Sequence, residues 1–347
     1  HLPARLYQHI QAFMQFEASG GILLILAMVV AMLVENSPLS GVYQTLLMLE
    51  GELRVGSLSV EKPVLLWVND LWMAIFFFLV GLEIKSELFD GHLADRSALM
   101  LPALAALGGM VVPALIYYWI NKDDPAALFG WAIPMATDIA FALGVLSLLG
   151  DRVPVGAKIF LMTLAILDDL GAIIIIALFY TADLGVLSLS LAALVVAVLI
   201  IMNRLGVKNT MAYILVGLVL WVCVLKSGVH ATLAGVITAL VIPWQHLKIS
   251  SEEPVNRLLD GLHPWVAFAI LPAFAFVNTG ISFNTLVMDQ VFGSLPVGIA
   301  LGLFVGKQLG VFGLSWLAIK LGWAKLPEGV SMLQLYGVAV LCGIGFT

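Results

Sequence analysis

Between Ile159 and Tyr180 the chain reads IFLMTLAILDDLGAIIIIALFY, an apolar run whose only charged residues are Asp168 and Asp169 near its middle. A helix rises about 1.5 Å per residue, so such a run covers roughly 30 Å, the thickness of a bilayer's hydrocarbon core. The run therefore reads as a membrane-spanning helix that carries two adjacent carboxylates close to the midplane. An ionised Asp at that depth costs about 2.5–3.5 kcal/mol on insertion scales. Ionisable groups so placed mark ion or proton pathways.

The rest of the chain agrees. It has 347 residues, 62% of them hydrophobic and only 11% charged, with a mean hydropathy of +1.07. Soluble proteins average about 25% charged residues, so a globular soluble class is excluded. The formal charge of −6 leaves no nucleic-acid footprint. Cys223 and Cys342 both lie in apolar sequence and do not suggest a disulfide framework. A cleavable signal is neither visible nor needed, since the spans can direct insertion. With His1 in first place rather than Met, the natural start is expected to lie upstream.

Residues 5–16 mix polar and aromatic side chains and read as a short interfacial helix. Spans follow at about 18–34, 64–82, 98–119, 126–149, 159–180, 185–203, 210–225, 228–243, 262–281 and 295–319. An eleventh starts near 333 and is still running at Thr347. The expected architecture is an all-α polytopic membrane protein with one transmembrane domain over residues 1–347. One soluble element interrupts it. Leu53-Arg54-Val55 and Leu58-Ser59-Val60 flank Gly56-Ser57, the signature of a type II′ hairpin over residues 53–60. An isolated hairpin is marginal in water, so this one should pack on a partner protomer or on a nearby helix end.

Lys and Arg placement sets the orientation. Arg5, Lys85, Arg96, Arg152, Lys158, Arg204, Lys208, Lys248, Arg257, Lys320 and Lys325 fall on the amino-terminal side. Opposite them stand only Arg54, Lys62, Lys122 and Lys226. The amino terminus is thus expected in the cytoplasm and the hairpin outside.

Two further spans carry a midplane charge, Asp138 in the fourth and Lys307 in the tenth. At full insertion cost the four groups would total roughly 10–14 kcal/mol, which rivals a whole domain's stability of about 5–15 kcal/mol. They must therefore offset one another or sit in a wet cavity. A plain Asp–Lys bridge that pins two helices would account for one acid and one base. Buried bridges are poor stabilisers, and two surplus carboxylates would still need protons or a cation. Around Asp138 the sequence reads GWAIPMATDIAFALG. Pro134 removes a backbone donor and breaks the helix, leaving Thr137 and Asp138 to cap a second half. The final Cys-Gly-Ile-Gly-Phe-Thr permits a similar unwound stretch. A pair of interrupted spans in the two halves of a chain points to a transporter's central site.

Neighbouring helix residues point about 100° apart, so Asp168 and Asp169 cannot both face one ion squarely. One would face the cavity while the other reaches Lys307, Thr137 or water. Groups this close titrate together. Protons and a small alkali cation would compete for the same oxygens, and competition at one site with alternating access suffices for antiport.

These stretches, with GWAIPMATDIAFALGVLSLLG, AILDDLGAIIIIALFYT, YILVGLVLWVCVLKSGVHATLAGV, GLHPWVA, LGLFVGKQLG and LPEG…LCGIGFT, resemble those of the NhaA-type sodium/proton antiporters over nearly the whole chain. The resemblance implies a twelve-span fold with inverted repeats and two broken, crossing helices. It makes Asp168 and Asp169 the carriers of Na⁺, Li⁺ and protons, with no resident cofactor. Asp138 and Lys307 would compensate the facing helix ends, with Thr137 near the cation. It also implies electrogenic exchange in a bacterial inner membrane, a homodimer joined through the hairpin, and a role in pH homeostasis. Activation at alkaline pH would run through a cytoplasmic funnel matched by Glu83, Glu87, His230 and His263. His230 read by itself is a packing histidine. Ser86 stands where the family commonly has Arg, and Leu259-Asp260 replace a Glu-His pair, which bears on the pH set-point. The family continues past the eleventh span, so a fragment of a longer antiporter is expected.

An intramembrane aspartyl protease would also use two carboxylates, but neither Tyr-Asp nor Gly-x-Gly-Asp occurs. A cation channel sits awkwardly with Lys307 at the midplane. A proton-coupled permease for an organic solute is the third rival. The reading favoured is a secondary active transporter, not an enzyme.

Overall fold

A computed structural model of the chain describes residues 4–55, 58–89, 96–138, 141–142, 145–146, 149, 152–180, 185–243, 254–285 and 291–345. Helices dominate, with one two-stranded sheet. The residues fall into two compact units: His1–Ile22, Glu87–Ile175 and Thr285–Thr347 form the first, Leu23–Ser86 and Ile176–Asn284 the second.

The chain opens with α1 (Ala4–Glu35). Residues 5–16 therefore belong to the same continuous helix as the first span, since nothing between them terminates it. Asn36, Ser37 and Pro38 then turn the chain, and α2 (Ser40–Leu47) leaves at 117°.

In the first unit, α4 (Arg96–Asn121) keeps Pro102 and Pro113 inside the helix. A short α5 (Pro125–Leu128) follows, capped by the Asp124 side chain, then a 3₁₀ turn at Ile133–Met135. The unit also holds α6 (Val155–Phe179) as far as Ile175, and α12 (Met332–Leu341), the latter started by a Ser331–Gln334 capping box. Its long α11 runs from Ser294–Leu301 through π-helical turns at Gly302–Gly306 and Gln308–Phe312 to Gly313–Lys320. Lys307 lies between those two turns. π-turns inside α-helices are frequent at functional sites. The core is built from Leu101, Ala105, Leu161, Leu164, Val311 and Leu335. At its centre α4 and α11 touch backbone to backbone. A Cβ on Gly108 would stand 2.2 Å from the Gly310 carbonyl oxygen, and one on Gly310 would stand 2.1 Å from that of Gly108. Only glycine at both positions permits that approach.

In the second unit, α3 runs from Val64–Trp67 through a π-turn at Val68–Trp72 to Met73–Phe89. It is followed there by α7 (Val186–Arg204), α8 (Thr210–Leu225) and α9 (Leu233–Val241). Last comes α10, from Pro254–Trp265 through a π-turn at Val266–Ile270 to Leu271–Asn278. Leu82, Leu199, Tyr213, Leu220 and Ala239 are wholly buried among them. The hairpin pairs β1 (Glu50–Val55) with β2 (Leu58–Pro63), Leu53 opposite Val60. Its Gly56-Ser57 turn lies outside the described residues. The strands are longer than the 53–60 core read from the sequence, and their far end is tied to α3. The Trp67 indole donates to the Gly51 carbonyl (2.9 Å), Val64 N–H to the Leu49 carbonyl (2.9 Å), and Lys62 pairs with Asp70. Lys226 Nζ also reaches the Ser59 carbonyl at 3.3 Å.

Among the described residues five helices are long and apolar enough to cross a bilayer: Val64–Ser86, Leu99–Asn121, Val186–Arg204, Leu258–Asn278 and Ser294–Lys320. The span expected at 228–243 is helical only from Leu233, because the Ser227–Ala231 stretch is taken up in turns.

Candidate functional site

Four ionisable groups converge in the first unit because two elements stop being helical where they meet. After the 3₁₀ turn, Ala136 is extended (φ −74°, ψ 145°). The Met135 carbonyl is thereby released from helical pairing and accepts a hydrogen bond from Lys307 Nζ. The other element is the chain after α12. There the Cys342 carbonyl oxygen comes within 3.1 Å of Thr137 Oγ1, and the Ile344 carbonyl accepts from Asp138 N–H (2.8 Å). The approach is close here too, since a Cβ on Gly345 would come 3.2 Å from the Ala136 carbonyl oxygen.

Lys307 has 0% of its surface exposed and Asp168 1%. Their contact, Nζ to Oδ2, is 2.5 Å. Thr137 Oγ1 lies between them, donating to Asp168 Oδ2 (2.7 Å) and accepting from Lys307 Nζ (3.0 Å). Asp168 Oδ1 is buried with no hydrogen-bond partner among the described residues. Asp138 is buried beside them, and its Oδ1 accepts the Phe141 N–H at 2.9 Å. Its carbonyl accepts from Ala142 N–H at 3.0 Å. That is N-cap geometry for the helical residues that follow. Asp169 is half-buried, and its side chain accepts no hydrogen bond among the described residues. It lies within electrostatic reach of Asp168, Asp138 and Lys307. Three carboxylates thus face one ammonium, and one of them has an oxygen left over. Such a set can hold one ion pair and still has capacity for protons or a small hard cation, for which oxygen ligands are suited. Among the described residues no group of three or more His, Cys, Asp or Glu side chains gathers as a resident-metal site would.

α4 forms a further wall that the sequence did not announce. A Cβ on Gly109 would stand 3.5 Å from Lys307 Nζ, and one on Gly171 would meet Met110 Sδ at 2.2 Å. Gly108-Gly109-Met110 therefore packs against both charged helices. The signal was an ordinary glycine pair, which is common in membrane helices.

The remaining sequence-derived residues lie in or beside the second unit. His263 Nε2 is 3.4 Å from Glu83 Oε1, both half-buried. Glu87 is in α3, but its side chain lies outside the described residues. His230 is exposed and stands before the start of α9. Lys85, by contrast, sits at the far end of α9, where Nζ donates to the Leu240 (2.6 Å) and Ile242 carbonyls. His230 is therefore not gathered with Glu83 and His263. Lys85 itself is a buried cation that caps a helix C-terminus. Sequence reading counted it only as a loop charge.

In a polytopic membrane protein, a buried carboxylate–ammonium cluster of this kind is what an ion or proton pathway presents. The sequence model of the family described as Na+/H+ antiporter 1 matches residues 11–347. An Na(+)/H(+) antiporter NhaA of Pseudomonas putida (strain GB-1) is 59% identical over 335 residues, covering 96% of this chain and 85% of the relative. Its counterpart in a Nitratiruptor species is 58% identical over 337 residues, 97% of this chain and 87% of that one. The Na(+)/H(+) antiporter NhaA of Yersinia pseudotuberculosis serotype O:3 (strain YPIII) is 56% identical over 338 residues, with 97% and 85% coverage. The chain belongs to the Na+/H+ antiporter 1 family.

Proposed function

We propose that the chain is an electrogenic antiporter that exports Na⁺ or Li⁺ in exchange for more than one proton. It works by competition at Asp168 and Asp169 with alternating access. The observation that carries this reading is the cluster of Lys307, Asp168 and Thr137 with Asp169 and Asp138 alongside. An alkali cation needs the carboxylate oxygens of Asp168 and Asp169. Lys307 already holds Asp168 Oδ2, so a cation bound there displaces the ammonium from its counter-charge. The displaced ammonium and the protonated form of Asp169 are then the two proton sources. Exchange of one cation for two protons moves net charge. Thr137 Oγ1 and the Met135 and Cys342 carbonyls are neutral oxygens beside the pair that serve the cation as it enters. Asp138 offsets the positive helix end it caps, and Lys307 the carbonyl ends around Met135.

The two interrupted segments at 135–138 and 342–345 support the broken, crossing helices of an inverted-repeat fold. The Glu83–His263 contact, with Glu87 nearby in sequence, supports a pH-responsive cytoplasmic funnel. His230 acts from the opposite end of α9. The amino terminus is cytoplasmic in a bacterial inner membrane, and the whole chain works as one transport domain. The hairpin joins two protomers, for which its half-exposed Leu53 is the apolar contact.

Proton release measured in weakly buffered solution tests the exchange. Addition of Na⁺ to the purified protein should release protons, and the release should vanish in Asp169→Asn. Sodium binding with no proton released rules out competition.

A further inference from the structure

A second site in the first unit lies where α6 begins, away from the ion pair. A cavity of about 870 Å³ is walled by Leu101 and Pro102 of α4, the first turns of α6 as far as Thr163, and the 322–329 segment after α11. Thr163 precedes Asp168 by five residues, about 7.5 Å along the helix.

Three features give this cavity a chemistry. First, α6 is 25 residues long and its N-terminus faces the cavity. The Ala157 and Lys158 N–H groups turn back to the Pro154 carbonyl (3.0 and 3.4 Å). Val155 and Gly156 line the wall with N–H groups for which the helix supplies no acceptor. A helix start is a natural anion site. Second, Lys325 lines the same wall, exposed and free to swing. Third, Thr163 is only 4% exposed, and among the described residues its hydroxyl makes no hydrogen bond. It lines the cavity and asks for a polar occupant. Glu328 is the one acid in the lining. Its side chain is exposed, and it is its backbone carbonyl that closes on Gly156, where a Cβ would come within 2.5 Å.

We propose that this cavity binds a phosphate-bearing anion, and that the occupant is the headgroup of an anionic phospholipid. The phosphate takes the Val155 and Gly156 N–H groups and Lys325. The polar remainder of the headgroup extends toward Thr163. The rim favours a lipid over free phosphate. Trp323, in the lining, is 63% exposed, and the exposed Lys325 lines the same wall. Aromatic and basic side chains together are the mark of the membrane–water boundary. Basic pockets between helices at that level take anionic headgroups. The volume also exceeds what a lone phosphate fills.

Thermal unfolding of the purified full chain tests the proposal without reference to transport. Mixed micelles of phosphatidylglycerol in phosphatidylcholine should raise the midpoint saturably, where phosphatidylcholine alone and inorganic phosphate do not. Lys325→Gln and Thr163→Val should each weaken the half-saturating concentration, by about tenfold for the lysine. Lys320→Gln, outside the lining, should leave it unchanged. Equal stabilisation of all variants, or no anionic-lipid effect, overturns the site. Stabilisation by inorganic phosphate that matches the lipid's overturns the lipid assignment.

Discussion

Lys307→Gln removes the only cation from a pair that has essentially no solvent exposure. Two unit charges 2.5 Å apart attract by about 5–7 kcal/mol at an effective dielectric near 20. Desolvation of both ions cancels part of this. Breaking a buried pair by deleting one partner then costs about 3–5 kcal/mol, because the other charge is stranded. The stranded group here is Asp168, whose Oδ1 already has no partner among the described residues. The loss should therefore be largest at high pH, where Asp168 stays ionised, and shrink as acid protonates it. Asp168→Asn alone strands the ammonium instead. The double variant strands neither and should recover to within about 1–2 kcal/mol of wild type. The assay is a double-variant cycle of thermal or denaturant unfolding at pH 6 and pH 9. Strict additivity of the two single losses at both pH values would refute the argument, since it would mean the groups do not share one energy.

Asp169→Asn should abolish Na⁺-driven proton movement in everted vesicles while leaving the unfolding midpoint within a degree or two of wild type. Its carboxylate is half-buried and holds no hydrogen bond among the described residues. Retained exchange would remove it from the carrier role. Sodium affinity measured by calorimetry should fall by about tenfold per pH unit on acidification for each competing proton; a flat profile argues that Na⁺ and H⁺ use different oxygens. Gly108→Ala should destabilise the first unit by about 1–3 kcal/mol, the usual cost of overpacking, since its Cβ would lie 2.2 Å from the Gly310 carbonyl oxygen. Lys85→Met should expose the end of α9 to faster hydrogen exchange, through loss of the bonds to Leu240 and Ile242.

Much of this site was open to inspection in the sequence. Charges at the midpoints of apolar runs identified Asp138, Asp168, Asp169 and Lys307, because lipid makes such placements costly. Pro134 announced the interruption beside Thr137, because a missing N–H cannot be hidden. Lys85 was invisible as a cap, since a lysine at a span's end is usually a snorkelling charge. His230 and Glu83 stood alike in a list of ionisable residues, yet His230 precedes the start of α9 while Glu83 meets His263 of α10.

The sequence alone decides that this chain enters a membrane, because hydropathy acts residue by residue and needs no neighbours. It decides, too, that the buried charges require company. Which groups supply it is a matter of tertiary structure. Thr137 reaches Asp168 from 31 positions away and Lys307 from 139. Only backbone contact at Gly108 and Gly310, and carbonyls released at Met135 and Cys342, bring those atoms within hydrogen-bond distance. Close packing is a property of facing surfaces, so one-dimensional periodicity does not encode it.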